Sequence, residues 1–181
     1  GFLMQMSHGP YYTFYSLYLE RFGYTRAAIG QLWALGVVAE VVVFVVLHRV
    51  LAVASLKSLL MVSLALTAVR WVLIAMYPAV LPLLVFAQLL HAASFGIYHA
   101  VAIQFVHKFF VGRNQGRGQA LYSSLGFGAG GAAGSLYSGY LWDSTGPSAT
   151  FFIAAVIVSL AWIVAWRGLT HRYHGETVES A

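Results

Sequence analysis

The chain has 181 residues, of which 60% are hydrophobic and only 8% charged, with a mean hydropathy of +0.78 and a net charge of +5. A soluble domain carries about 25% charged residues, so this composition excludes one and points to an all-α integral membrane protein. The absence of cysteine removes disulfides and thiolate metal sites. Basic loops on one side of a membrane account for the positive charge without invoking nucleic acid.

Taken in order, apolar windows of roughly 20 residues predict six transmembrane helices at about 1–19, 28–47, 58–77, 80–106, 119–141 and 149–167, followed by a polar tail over 168–181. The fourth is long enough to tilt or to protrude. Gly23-Tyr24-Thr25 is expected to turn and cap the second span, Tyr77-Pro78 to close the third, and Thr145-Gly146-Pro147-Ser148 to part the last two. Six spans put Arg49, Lys57, Lys108, Arg113, Arg117, Arg167 and Arg172 on one side and only Arg21 and Arg26 on the other. The positive-inside rule then places both termini in the cytoplasm, and the membrane expected is the bacterial inner one. The chain opens within an apolar run and without an initiator Met, as a piece of a longer protein would.

A weak internal repeat runs through the spans. Gln5-Met6-Ser7-His8 returns as Gln88-Leu89-Leu90-His91, and Tyr15 and Tyr98 keep the same offset. Gly30-Gln31 leading to Leu35-Gly36 is echoed by Gly118-Gln119 leading to Leu125-Gly126. Three spans per unit make the two units inverted in the membrane, a building plan of secondary transporters. Chance matches in so biased a composition are the alternative.

Three spans carry an ionisable residue near the middle: Glu40, Arg70 and His91. A charge at that depth costs at least ~2.5–3.5 kcal/mol, so each is expected to have a partner or a task. Glu40 and Arg70 lie ~18 Å in from opposite faces, which allows an ion pair; a purely structural lock between helices is the competing reading. Gln88, His91, Phe95 and Tyr98 or His99 share one helix face, and Gln5, His8, Tyr12 and Tyr15, with Tyr11 beside them, share another. Such faces belong against a cavity rather than acyl chains. Tyr18 and Tyr24 read instead as interfacial anchors. Gly126, Gly130 and Gly134 form a G-x-x-x-G-x-x-x-G register that favours close helix packing. No nucleophile–base–acid set and no metal-spaced His or Cys cluster appears, so neither an enzyme nor a cofactor or metal is expected.

Gly30-Gln31-Leu32-Trp33-Ala34-Leu35-Gly36-Val37-Val38-Ala39-Glu40-Val41 resembles the eighth helix of the 3-phenylpropionic acid transporter group of the major facilitator superfamily. Arg70-Trp71, Gln88-Leu89-Leu90-His91 and Gln119-Ala120-Leu121-Tyr122 resemble the same group, in the same order. The likeness covers essentially the whole chain. It implies the C-terminal six helices of a twelve-helix transporter, as two inverted three-helix repeats. Lactose permease and nucleoside–proton symporters are wider relatives. By resemblance, Glu40 matches a substrate-binding glutamate, Arg70 the arginine of a proton relay and His91 its histidine. Ser94 stands where lactose permease keeps a protonated glutamate, so that proton site does not carry over and Glu40 and His91 are left as candidates.

The resulting expectation is half of a proton-coupled transporter that moves an aromatic acid, nucleoside or sugar by alternating access. Glu40, His91 and Arg70 are the proton-coupling set. Arg70, Glu40, His91, Gln88, Tyr12, Tyr15, Phe95 and His8 are the substrate-binding set. The partners implied are the N-terminal six-helix half, solute, proton and lipid, with a homodimer of the isolated half as a further option. The rival readings are a membrane cytochrome using His8, His91 and His99, and a scaffold subunit whose charges only order its helices.

Overall fold

A computed structural model describes residues 1–176, with side chains through residue 169. Among them there is no strand. The helices are α1 (Phe2–Ser7), α2 (Gly9–Arg21), α3 (Arg26–Val53), α4 (Leu56–Met76), α5 (Leu81–His91), α6 (Tyr98–Phe109), α7 (Gln115–Tyr122), α8 (Gly131–Ser144) and α9 (Pro147–Glu176). Wide-turn π stretches, Ala92–Ile97 and Ser123–Gly130, join α5 to α6 and α7 to α8. The chain therefore forms six rods: α1–α2, α3, α4, α5–α6, α7–α8 and α9.

Local chemistry sets the rod ends. Gly23 takes φ 82°, a left-handed turn that suits glycine, and the Thr25 hydroxyl then accepts the Ala28 N–H at 3.2 Å to cap α3. Ser55 caps α4 in the same way, accepting from the Ser58 N–H at 3.1 Å. Gly146, at φ 91°, turns the chain into α9, which begins on Pro147.

Four of the rods are long and apolar enough to cross a membrane: Arg26–Val53, Leu56–Met76, Leu81–Phe109 and Pro147–Leu169. Rods one and five fall short of that apolarity, because hydroxyls, His8 and Gln5 dilute the first and Gly and Ser the second. The backbone of rod six stays helical to Glu176, well past the apolar part. The rest of the expected tail, 177–181, and the side chains of Arg172, Glu176 and Glu179 lie outside the described residues.

Rods three and six form the principal packed pair. Rod one packs on rods five and six, and rod four packs on rods two and three. Exchanging the first three rods with the last three maps these packings onto one another, the relation an internal repeat produces. The irregularities obey it too: rod one breaks at His8, and rod four leaves α-helical geometry immediately after His91. Rods two and three, although consecutive, barely touch, because rod four stands between them.

The glycine register of rod five packs against rod one. A Cβ on Gly130 would come 2.6 Å from the Phe2 carbonyl oxygen, and one on Gly134 would come 2.7 Å from that of Met6. A Cβ on Gly9 would collide with the Gly134 backbone. Here two backbones meet without side chains between them. Tyr18 is not an interfacial anchor. It is buried, donates its hydroxyl to the Ala75 carbonyl at 3.2 Å and packs against Phe151.

Candidate functional site

Arg70, on rod three, is fully buried. Its guanidinium lies 4.1 Å from the centre of the Tyr11 ring and 4.6 Å from that of Trp71. A desolvated cation over an aromatic face gains up to about 2 kcal/mol, so the rings offset part of the cost of burial. Nε donates to the Ala87 carbonyl at 3.0 Å. Nη1 and Nη2 have no hydrogen-bond partner among the described residues. The Tyr11 hydroxyl, which donates to Gln88, stands beside the guanidinium and keeps lone pairs turned to it, while the guanidinium itself lies over the ring face.

That other acceptor is Gln88 of rod four. Tyr11 donates to Gln88 Oε1 at 2.9 Å, and Gln88 Nε2 donates to the Tyr15 hydroxyl at 2.6 Å. All three side chains are buried. The amide thus fixes two rings of rod one at once, and it needs room: a Cβ on Gly36 of rod two would sit 3.1 Å from Gln88 Oε1. Trp33, also on rod two, closes the outer side, its ring 4.4 Å from Tyr11 and its Nε1 donating to Ser16 at 3.1 Å.

His8 is fully buried at the break in rod one. Its Nδ1 lies 2.9 Å from the Met4 carbonyl, which only accepts, so Nδ1 carries a proton. Nε2 has no partner among the described residues. The ring stands edge-on to Trp71 at 4.8 Å and 6.5 Å from the His91 ring. Phe95 lies beside both imidazoles, at 5.6 and 5.3 Å. The π stretch brings residues four apart into line, so His91, Phe95 and His99 stack with tilts of 11° and 10°. His99, rather than Tyr98, therefore continues the stripe. Tyr12, half exposed, lies 5.8 Å from His8 and 6.4 Å from Trp33 at the rim.

Glu40 takes a different partner from the one expected. Its Oε2 lies 3.7 Å from His91 Nε2, and among the described residues no acid pairs with Arg70. The reason is the rod order: Glu40 stands on rod two and Arg70 on rod three, with His91 of rod four between. Glu40 itself packs over Gly96, where a Cβ would come 3.2 Å from its Cγ. A separation of 3.7 Å is too long for a hydrogen bond. An imidazole and a carboxylate at that distance can nonetheless hold one proton between them after a small movement.

The structure gathers His8, Tyr12, Tyr15, Arg70, Gln88, His91, Phe95 and Glu40 around one centre. Tyr11, which the sequence places beside the face of rod one, and Trp33 and Trp71, to which the sequence reading gave no site role, supply most of its wall. Trp71 had a signal, since it adjoins Arg70, and Tyr11 lies one turn from both His8 and Tyr15.

The pattern that defines the MFS_1 like family matches residues 1–153. The chain belongs to that family. This places it in the major facilitator superfamily that its residues resemble. Within the family, it is 32% identical over 159 residues to a probable 3-phenylpropionic acid transporter of Escherichia coli strain K12, covering 86% of this chain and 40% of that protein. It is 23% identical over 145 residues to the uncharacterized transporter YwbF of Bacillus subtilis strain 168, covering 80% of this chain and 36% of that one. The chain thus spans about two fifths of the length of the curated relatives it matches. No solved structure matches it.

Proposed function

We propose that this chain is the C-terminal six-helix half of a proton-coupled secondary transporter that moves a small organic anion by alternating access. The observation that carries the reading is the Arg70 fork: a fully buried guanidinium whose two terminal nitrogens make no hydrogen bond and face no acid among the described residues. Two adjacent N–H groups in a plane match the two oxygens of a carboxylate, and an anion there would relieve the cost of the buried charge. The walls of Tyr11, Trp33, Trp71 and Phe95 suit an aromatic ring, so an aromatic acid is the first substrate class. The relative named for phenylpropionic acid supports that choice. Nucleosides and sugars are the competing ligands.

In this reading the six rods cross a bacterial inner membrane with both termini in the cytoplasm, and a second six-helix half faces rods one, two and four. Arg70 holds the carboxylate, while Tyr12, Tyr15 and Phe95 border the solute. Gln88 acts through the tyrosines it fixes. Glu40 and His91 share the coupled proton, and Glu40 is the carboxylate available to it near the centre. Alternation between the two halves then exposes one site to each side in turn.

Uptake by the full-length protein tests this. With Glu40→Gln, uphill accumulation of an aromatic acid is expected to disappear while downhill exchange persists; undiminished proton-driven accumulation would remove Glu40 from the coupling. Wild-type transport after neutralising both Glu40 and Arg70 would favour the scaffold reading. A Soret band in the purified protein would favour a cytochrome.

A further inference from the structure

His8 brings a second unanswered hydrogen-bonding group to the centre. It is fully buried, and the Met4 carbonyl, one turn back on rod one, holds its Nδ1 at 2.9 Å. A carbonyl only accepts, so this contact puts the ring proton on Nδ1 and fixes the tautomer. Nε2 is then a bare acceptor unless the ring takes a second proton. No acid pairs with His8 among the described residues, and the Arg70 guanidinium lies close by across Trp71. Burying a second cation beside the first is costly, so the neutral ring is the form that fits.

Covalent geometry turns Nε2 away from Met4. It is one of the two ring atoms farthest from Cβ, and it projects from rod one among Trp71, Phe95 and His91, whose ring centres lie 4.8, 5.6 and 6.5 Å from its own. Among the described residues it meets no donor. The indole of Trp71 could have served, but its Nε1 donates to the Ser7 hydroxyl at 3.3 Å. His91 also has an unpaired nitrogen, Nδ1, but its Nε2 faces Glu40, so its proton follows the carboxylate. Of the two imidazoles, only His8 presents a lone pair set by the backbone.

An acceptor left unpaired inside an apolar bundle carries a cost that a ligand relieves by donating to it. The guanidinium carbon of Arg70 and the His8 ring lie 4.6 and 4.8 Å from the Trp71 indole, so one small molecule can reach both. An ammonium donor would add a cation beside Arg70, whereas a hydroxyl donates without charge. We propose that His8 makes the centre selective for hydroxylated aromatic acids, its Nε2 accepting the ring hydroxyl of a solute whose carboxylate lies on Arg70. The inference rests on the reading of Arg70 as the anion site and adds the acceptor that chooses among such anions. A site built around a buried acceptor discriminates against an analogue that leaves it unpaired. A methyl ether is such an analogue, since it brings the oxygen without the proton.

Calorimetric titration of the purified full-length protein tests this with 3-phenylpropionic acid, its ring-hydroxylated isomers and their methyl ethers. At least one hydroxylated isomer is expected to bind about tenfold or more tightly than the unsubstituted acid, and its ether no more tightly than that acid. With His8→Phe, the ratio of the hydroxylated to the unsubstituted affinity is expected to fall about tenfold. Nitrogen NMR of wild-type protein labelled in histidine gives a second readout, which decides if His8→Phe does not fold. There the His8 Nε2 resonance is expected to move from the bare to the hydrogen-bonded position with the hydroxylated acid and not with the unsubstituted one. Equal affinities across the series, an ether that matches its hydroxylated parent, a ratio that survives His8→Phe, or an Nε2 resonance indifferent to the hydroxyl would overturn the proposal and leave Arg70 as the carboxylate site. No binding of any acid, or binding that Arg70→Met leaves intact, would remove the anion reading and this inference with it.

Discussion

Arg70 and Glu40 are both ionisable groups inside a helical bundle, and they are held in opposite ways. Arg70 is fully buried, with rings on its faces, one backbone acceptor on Nε and, among the described residues, no acid paired with it. The Glu40 side chain keeps 19% of its surface, meets His91 loosely at 3.7 Å and stands on a rod whose valines are largely exposed. One site has a fixed charge and a fixed cage; the other has a carboxylate free to change partners. The proposed proton-coupled transport of an anion uses both kinds, since the anion is recognised by something rigid and the proton is handed over by something that moves. Rod four links the two: Gln88 braces the Arg70 cage, and His91, one turn on, faces Glu40.

The comparison breaks most directly at Arg70. Replacing it with Met removes the two terminal donors, and charge-assisted hydrogen bonds contribute about 1.5–3 kcal/mol each, so uptake of an aromatic acid is expected to fall about 100-fold or more. Stability should move the other way or not at all, because an uncompensated buried charge is costly to fold around. Melting curves of the purified full-length protein alongside uptake would separate the two effects; a large loss of stability would mean that Arg70 serves the fold instead. Next in size is Gly9→Leu, which forces apart the backbones of rods one and five. It is expected to cost about 3 kcal/mol, as overpacking does where nothing can yield, and to appear as a lowered melting temperature.

Smaller changes sharpen the contrast. Gln88→Leu loses both tyrosine bonds, and at ~0.5–1.5 kcal/mol each it should cost about 2 kcal/mol of stability and weaken solute binding through misplaced rings. An unchanged affinity would show that the cage holds without its brace. Trp33→Phe keeps the ring against Tyr11 but loses the bond to Ser16. A loss of about 1 kcal/mol or less is expected, measurable as a small shift in melting temperature with transport largely retained.

Much of this was legible in residue order. Glu40, Arg70 and His91 stood out because a charge within an apolar run is expensive wherever the run ends up. The stripes on rods one and four followed from helical spacing, and the repeat was visible in Gln5 to His8 and Gln88 to His91. The partner of Glu40 was not legible. Opposite charges at matching depths on two spans allowed a pair, and that expectation favoured Arg70. Rod four lies between them instead, which is a property of the packing and of no local segment. Tyr18 misled for a similar reason: near a helix end it resembles an anchor until the next helix covers it.

The sequence by itself determined the solvent this protein folds in, the helical character of nearly every residue, and which few polar groups had to be reconciled with an apolar interior. Those follow from composition and from periodicity of 3.6 residues, both local quantities. Only the tertiary structure decided which groups meet: Tyr11 and Trp71 on Arg70, Gln88 between two tyrosines, His91 against Glu40. Apart from Trp71 beside Arg70 on rod three, each of these contacts joins different rods; Gly36 leaves room for Gln88 and Gly96 for Glu40, and a gap between helices exists only once the helices have packed.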